Sequence, residues 1–417
     1  MKKAFVKHRY SVGVFAFLLL HSFLVSGGAK PWSNDFVTYS FHAVDFSMGF
    51  CTRILPGAVY KLLVGKWSME AVNAFDSVFM ILLFAVLSVF CEKLILGVGK
   101  KDRLAFLLVV LLFLTGPCTF PMYIIELGMI DVWWVFFTAA AVVLLSCRRL
   151  FPLVVPIGAL CVTIHFSAMY TFVPLIVLLI LYKCASEQNK KTKAALFSVA
   201  VLTAAAACAT AVYFLVNEKN NLVYTREEFD AVLASRGVTF FDYYDYAFYG
   251  FISDAQPRLV EAMSSSEPVS FIQRVMQQIS INASTLEFAT KLYVLVLMIP
   301  AVVLLFGFVF TAVKGRSGKA EKAVLLSAPA LFVVSLGFGW LFSTDVIRFL
   351  GHSFLGLFTF VMFVIYIDNK DRNAENGPSE NKDPASYFTD VFRRIDPKIT
   401  FIYFAMYVLT VWEPYRT

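Results

Sequence analysis

Residues 148–183 read RRLFPLVVPIGALCVTIHFSAMYTFVPLIVLLILYK, and this stretch decides how the chain is threaded. Its apolar parts, 151–165 and 167–182, lie between paired arginines and a lysine. As one continuous membrane helix, the stretch would place its basic ends on opposite sides, although cytoplasmic loops collect Lys and Arg. We therefore predict a hairpin of two short helices that turns near His165. Each arm is short for a full bilayer crossing, so we expect a thinned or water-filled region around His165.

The composition predicts an all-α, polytopic transmembrane helix bundle. Hydrophobic residues make up 59% of the 417 residues and charged residues only 16%, against roughly 25% in soluble proteins. Phe alone occurs 44 times, more than a soluble interior would hold. The net charge of +7 comes from basic residues clustered between apolar runs, which is typical of membrane topology and disfavours nucleic-acid binding.

About eleven apolar stretches are candidate membrane spans. They are 10–29, 74–91, 104–120, 131–146, 151–165, 167–182, 194–216, 288–313, 323–342, 353–367 and 400–412. Clusters of Lys and Arg follow the second, fourth, sixth and eighth, so these loops and the N-terminus are predicted to be cytoplasmic. The first stretch has the features of a signal peptide, but the many spans behind it favour an uncleaved helix.

The predicted topology divides the chain into three parts. Residues 1–367 form the transmembrane bundle, with a first outer loop at 30–73 and a long, acidic outer loop at 217–287 after span 7. In the first loop, 36–66 mixes apolar and polar residues, which indicates helices lying in the membrane interface. Residues 368–399 are predicted to be a polar cytoplasmic linker with an amphipathic piece around 387–394, and 400–417 the last helix and a short outer tail.

The cysteines give no sign of a metal site or a disulfide framework. They are spread singly and form no CxxC pair, so we expect them to be buried, inert thiols. The seven are Cys51, Cys91, Cys118, Cys147, Cys161, Cys184 and Cys208.

Two aspartates follow the first span and are candidates for catalysis. Asp35 and Asp45 lie in an otherwise apolar part of the first outer loop. A carboxylate at this position can accept a proton from an attacking hydroxyl or hold a metal ion. The alternative is that both are solvated loop acids.

Arginines at the same predicted face are candidates for binding phosphate. Arg53 in the first loop can clamp a phosphate with paired hydrogen bonds or simply reach toward lipid headgroups. Asp345, Arg348 and His352 follow each other at helical spacing and would form one polar stripe. In this interpretation Asp345 holds Arg348 for an anionic group. The alternative is an ion pair that caps the helix.

Three further features are weaker candidates. His165 is a lone membrane histidine, more often a packing residue than a catalyst. Asp131 flanks the second outer loop beside Trp133 and Trp134, which are typical of an aromatic belt. The run 242–246, DYYDY, has the aromatic and polar mixture that stacks on sugars, although it could equally pack on the bundle.

This arrangement resembles the GT-C class of membrane glycosyltransferases. That class implies a cytoplasmic N-terminus, a catalytic Asp in the first outer loop and, in several members, a large outer loop after the seventh span. Asp35 or Asp45 matches the acid, and 217–287 matches the large loop. The resemblance implies transfer of a sugar from a polyprenyl-phosphate carrier to a glycan or other envelope acceptor, outside the bacterial plasma membrane. The first outer loop, 30–73, has no Asp-Asp or Glu-x-Asp pair, so the choice of Asp and any divalent cation stay open.

Under this resemblance, Asp35 or Asp45 would be the general base and Arg53 and Arg348 would stabilise the leaving phosphate, with His165 or His352 assisting. The alternatives are an O-antigen or exopolysaccharide polymerase and a transporter or flippase of lipid-linked sugars. A transporter would place its charges near the bilayer midplane on broken helices, and many transporters carry internal repeats. The charges here lie toward one face, and the sequence shows no repeat.

Overall fold

The computed structural model describes most of the chain, and every regular element in the described residues is helical. The described residues are 8–25, 42–43, 45–46, 54–116, 119, 131–147, 149–221, 226–237, 288–342, 346–374 and 384–409. Their helices are α1 Arg9–Val25, α2 Ile54–Leu63, α3 Met69–Gly97, α4 Arg103–Leu114, α5 Asp131–Ser146, α6 Val154–Ile164, α7 Phe172–Ser186, α8 Lys190–Asn221, α9 Arg226–Ser235, α10 Phe288–Gly315, α11 Lys319–Phe342, α12 Val346–Ala374, α13 Ser386–Arg394 and α14 Pro397–Leu409.

Six helical segments in the described residues are long and apolar enough to cross a membrane. They are Glu70–Gly97, Phe166–Ser186, Lys190–Phe214, Leu292–Gly315, Lys319–Gly339 and Arg348–Lys370. The other predicted spans correspond to the shorter helices α1, α4, α5, α6 and α14. A helical, membrane-type bundle is therefore confirmed, and the eleven crossings remain a prediction.

The hairpin predicted for 150–182 is present. α6 ends at Ile164, His165 is extended, and a 3-10 turn at Phe166–Met169 leads into α7. The start of α6 and the end of α7 lie close together. Lys183, near the end of α7, donates to the carbonyl of Leu145 and lies 5.8 Å from the ring centroid of Phe151, which precedes α6. Both basic ends of the stretch quoted above are therefore on one side.

A glycine allows the hairpin to pack closely on α8. A Cβ added at Gly158 would lie 2.7 Å from Cγ2 of Thr203 and 3.0 Å from its backbone oxygen. No larger residue fits without moving the backbone of α8, so Gly158 fixes the close approach of α6 and α8.

Contacts along α12 define two ends of the bundle. Near its start, Arg348 pairs with Asp131 of α5, and we call this end the Asp131 end. Near its other end, Asp368 pairs with Arg316, which follows α10, and accepts a hydrogen bond from Tyr182 of α7. We call that end the basic end. Arg348 and Asp368 are separated by about 30 Å of helix, close to the thickness of a bilayer's hydrocarbon core.

Two parts of the predicted linker, 368–374 and 386–394, are helical. α12 continues to Ala374, past the boundary predicted at 367. α13 then packs on the bundle, since the buried ring of Phe388 lies 5.4 Å from Phe308 of α10 and 6.4 Å from Phe106 of α4, centroid to centroid. Residues 386–394 are therefore amphipathic, as expected, but they belong to the bundle.

Candidate functional site

A buried ionic group lies where α5 and α12 begin. Asp131 is the first residue of α5 and is 1% exposed. Its Oδ2 lies 2.5 Å from Nη2 of Arg348, and its Oδ1 lies 2.9 Å from Nε2 of His352. Arg348 and His352 are one turn apart, so α12 presents both side chains to the same carboxylate. We call Asp131, Arg348 and His352 the Asp131 triad.

Aromatic rings enclose the imidazole of the Asp131 triad. The ring centroids of Trp134, Phe172 and Phe349 lie 5.1, 5.4 and 5.5 Å from that of His352, each at a steep angle. Such rings keep bulk solvent away from this imidazole, and charge–charge interactions strengthen in surroundings of low polarity.

His165 is a second imidazole in contact with Trp134. The Trp134 ring contacts both imidazoles, with centroid distances of 5.9 Å to His165 and 5.1 Å to His352. The Nδ1 atom of His165 lies 2.7 Å from the hydroxyl of Ser167 and accepts a hydrogen bond from the Ser167 backbone N–H at 3.1 Å. This side chain therefore caps the turn of the hairpin.

A second ionic group joins the two long predicted outer loops. The buried carboxylate of Asp45 has Nζ of Lys61 and Nη2 of Arg236 each at 2.9 Å from its Oδ2. Arg236, just after α9, also donates to the carbonyl of Ala43 at 2.6 Å and lies 5.2 Å from the ring centroid of Trp67. We call Asp45, Lys61 and Arg236 the Asp45 cluster, and these three charges sum to one positive charge.

A histidine–aspartate pair lies beside the Asp45 cluster. Nε2 of His42 is 2.9 Å from Oδ1 of Asp76, and both residues are buried. The indole of Trp67 donates to the carbonyl of His42 at 3.0 Å, which ties this pair to the Asp45 cluster. Phe75 contacts the rings of both His42 and Trp133, so the cluster and the Asp131 triad both lie at the Asp131 end.

The structure brings together only part of the predicted site. Asp45, Asp131, Arg348, His352 and His165 all lie at the Asp131 end. Asp35, Arg53 and Asp345 lie outside the described residues, as does the run 242–246. Among the described residues, no group of three or more His, Cys, Asp or Glu side chains could hold a metal ion.

Several contacts were not foreseen from the sequence. Asp131 was expected only as a supporting residue, yet it binds both Arg348 and His352. The predicted pairing of Asp345 with Arg348 is not tested by the described residues. Arg236, His42 and Asp76 were not among the predicted site residues. The available signal was the helical spacing of Arg348 and His352, which places both side chains on one face of α12.

The comparisons with known proteins found no counterpart. No family model matches the chain, and neither the curated proteins nor the solved structures contain a match. What the fold establishes is that the described part of the chain is helical, with six helices in it suited to crossing a membrane. Function therefore has to be argued from the residues at the Asp131 end.

Proposed function

We propose that this protein is a membrane glycosyltransferase that moves a sugar from a polyprenyl-phosphate carrier to an acceptor hydroxyl at the outer face of the bacterial plasma membrane. The observation that carries the proposal is the Asp45 cluster, in which one carboxylate faces two cations on the predicted first outer loop and after α9. A glycosyl phosphate requires this combination, since a base must act on the acceptor and positive charge must stabilise the leaving phosphate.

In the proposed reaction, a phosphate of the donor binds Lys61 and Arg236 and weakens their hold on Asp45. The released carboxylate accepts the proton of the acceptor hydroxyl as its oxygen bonds to the anomeric carbon. The bond between that carbon and the phosphate oxygen breaks, and the carrier phosphate leaves with both bonding electrons. Asp35 remains the alternative base.

Arg348 is assigned to the phosphate side of the same reaction, together with Arg53. Its guanidinium is held by Asp131 and its side chain is 18% exposed, so it is fixed in orientation and still reachable from outside. A guanidinium fixed in this way can make a planar, two-pronged contact with phosphate.

A polymerase of envelope polysaccharide would use the same chemistry with a longer acceptor. A flippase of lipid-linked sugars differs, because it moves the donor without breaking the sugar–phosphate bond. The position of both ionic groups toward one end of the bundle supports transfer over transport, since transporters bind near the bilayer midplane.

The test is release of the carrier phosphate by the purified protein in liposomes. Synthetic short-chain polyprenyl-phosphate sugars, offered as a panel of common hexoses with a mixed-glycan acceptor, serve as donors. Wild type should release polyprenyl phosphate, and Asp45→Asn should reduce release by at least about a hundredfold. Asp368→Asn, a matched loss of an arginine-paired carboxylate at the basic end, should leave it nearly unchanged.

The result separates the candidate functions. Full release in both Asp45→Asn and Asp35→Asn would remove the proposed base. Movement of intact donor across the liposome membrane, with no carrier phosphate released by wild type, would establish transport in place of transfer. Unfolding of each variant is measured in parallel, so that a collapsed protein is not read as a catalytic defect.

A further inference from the structure

A small cavity borders the imidazole of His352 between α7, α11 and α12. Most of its lining is aliphatic or aromatic, but four residues bring polar atoms to it: Thr171, Ser335, His352 and Ser353. The centre of a water molecule has about 10 Å³ of free space there. A single bound water needs roughly that much room and two to four polar partners.

Ser335 lines the cavity with a hydroxyl to which the described residues offer no hydrogen bond. It is 2% exposed, and no described residue forms a hydrogen bond with its Oγ. The other two hydroxyls donate to the carbonyl four residues earlier, Thr171 to Ser167 at 2.9 Å and Ser353 to Phe349 at 2.8 Å. Their oxygens can therefore still accept a hydrogen bond, whereas Ser335 has both a donor and acceptors to satisfy.

A buried hydroxyl without a partner is costly and is usually paired with an ordered water. We propose that this cavity is a water site in which one bound water links the hydroxyl of Ser335 to the imidazole of His352. Because Nε2 of His352 faces Asp131, the water reaches the ring through Nδ1. A hydroxyl of Thr171 or Ser353 accepts the remaining hydrogen.

This water gives His352 a proton-exchange partner away from Asp131. A water that donates to Nδ1 holds the neutral ring in the tautomer whose Nε2–H points at Asp131. A water that accepts from Nδ1–H suits the protonated ring, and its hydrogen bond with Ser335 can reverse to match. Ser335 is in this account a positioning residue that acts on the Asp131 triad through the water.

The sign of one stability change tests the proposal. If the cavity is dry, Ser335→Ala removes an unsatisfied hydroxyl and should raise the melting temperature of the detergent-solubilised protein. If it holds the water, Ser335→Ala removes one of the water's partners and should lower the melting temperature by roughly 1–3 °C. Ser327→Ala, at an exposed serine of α11 whose hydroxyl already donates to Ala323, is the matched control and should shift it less.

A spectroscopic readout follows the imidazole itself. The chain has five histidines, so ¹⁵N-histidine labelling gives a short spectrum in which His352→Gln identifies the His352 signals. We expect Ser335→Ala to shift the Nδ1 signal of His352, and Ser327→Ala to leave it in place.

A cavity-filling variant provides a second route. A Cβ at Gly356, which also lines the cavity, would lie 3.7 Å from the nearest atom of Leu175, an ordinary contact. Gly356→Ala should therefore fold and displace the water, and it should give the same Nδ1 shift as Ser335→Ala. A raised melting temperature for Ser335→Ala, or an unmoved Nδ1 signal in both variants, would overturn the water site.

Discussion

The Asp131 end and the basic end each contain an aspartate paired with an arginine, but Asp131 is buried and Asp368 is only partly buried. At the basic end, Arg316 contacts Asp368 and, at 3.7 Å, Glu321, and its side chain is 27% exposed. Tyr182 donates to Asp368 at 2.8 Å, so three helical segments are held together around one guanidinium. At the Asp131 end, one carboxylate serves both an arginine and an imidazole, and aromatic rings surround the imidazole.

The difference indicates separate roles for two similar ion pairs. Arg316 has a second acid, Glu321, and solvent nearby. It contacts Tyr182 of α7 and Asp368 of α12, so it links these helices to the loop after α10, as a structural ion pair does. Asp131 is buried and contacts both Arg348 and His352, and a small cavity lies beside His352. Buried charged groups in membrane proteins tend to mark functional sites. We therefore assign function to the Asp131 end and structure to the basic end.

The largest expected effect concerns the side of the membrane on which each end lies. In a cysteine-free background, cysteines placed at 190 and 319 should be protected from an impermeant thiol reagent in intact cells, while cysteines at 51 and 230 should react. The reason is that basic loops stay in the cytoplasm. Reaction at 190 together with protection at 230 would contradict the eleven-span topology and the outward position of the Asp131 end.

The second comparison concerns stability. Asp131→Asn leaves Arg348 and His352 facing a neutral amide in a buried site, so it should lower the free energy of unfolding by about 3–5 kcal/mol. Asp368→Asn leaves Arg316 with Glu321 and partial access to solvent, so about 1 kcal/mol is expected. Thermal unfolding in detergent compares the two variants. Equal losses of unfolding free energy would mean that the two ion pairs have the same structural role.

The sequence predicted the helices more fully than the site. Apolar runs and basic loops depend on local composition. The hairpin at His165 could therefore be inferred, and so could the position of both of its basic ends on the same side. The contact of Arg348 with Asp131 could not be inferred, because Asp131 lies more than two hundred positions away and its approach depends on how α5 packs on α12. The pairing of Arg348 with Asp345, which is near in sequence, stays a prediction, because Asp345 lies outside the described residues. The contact of Asp45 with Arg236 could not be inferred either, because only tertiary packing brings the two together.

The third comparison concerns activity. Arg348→Lys should reduce sugar transfer roughly a hundredfold, because lysine keeps the charge but cannot make a two-pronged contact with a developing phosphate charge. Arg316→Lys is the matched control at the basic end and should stay within about threefold of wild type. Turnover and unfolding are measured for both variants. Unchanged transfer in Arg348→Lys would leave Arg348 as a structural ion-pair partner.

The smallest expected effect concerns His165, which shares the Asp131 end without joining the Asp131 triad. Its Nδ1 accepts from the backbone N–H of Ser167, so His165→Ala should cost about 1 kcal/mol of stability, as the loss of a helix cap does. His165→Asn keeps a side-chain acceptor at the same turn and should recover most of that loss. Both variants should transfer sugar within about twofold of wild type once the folded fraction is taken into account.

The asparagine variant is the informative one, because it separates the cap from the imidazole. If His165→Asn is stable but loses transfer, the imidazole takes part in the reaction, and the site extends across Trp134 from His352 to His165. If it is stable and active, His165 belongs with Arg316 among the groups that hold the bundle in shape. The chemistry at the Asp131 end would then rest with the Asp45 cluster and the Asp131 triad.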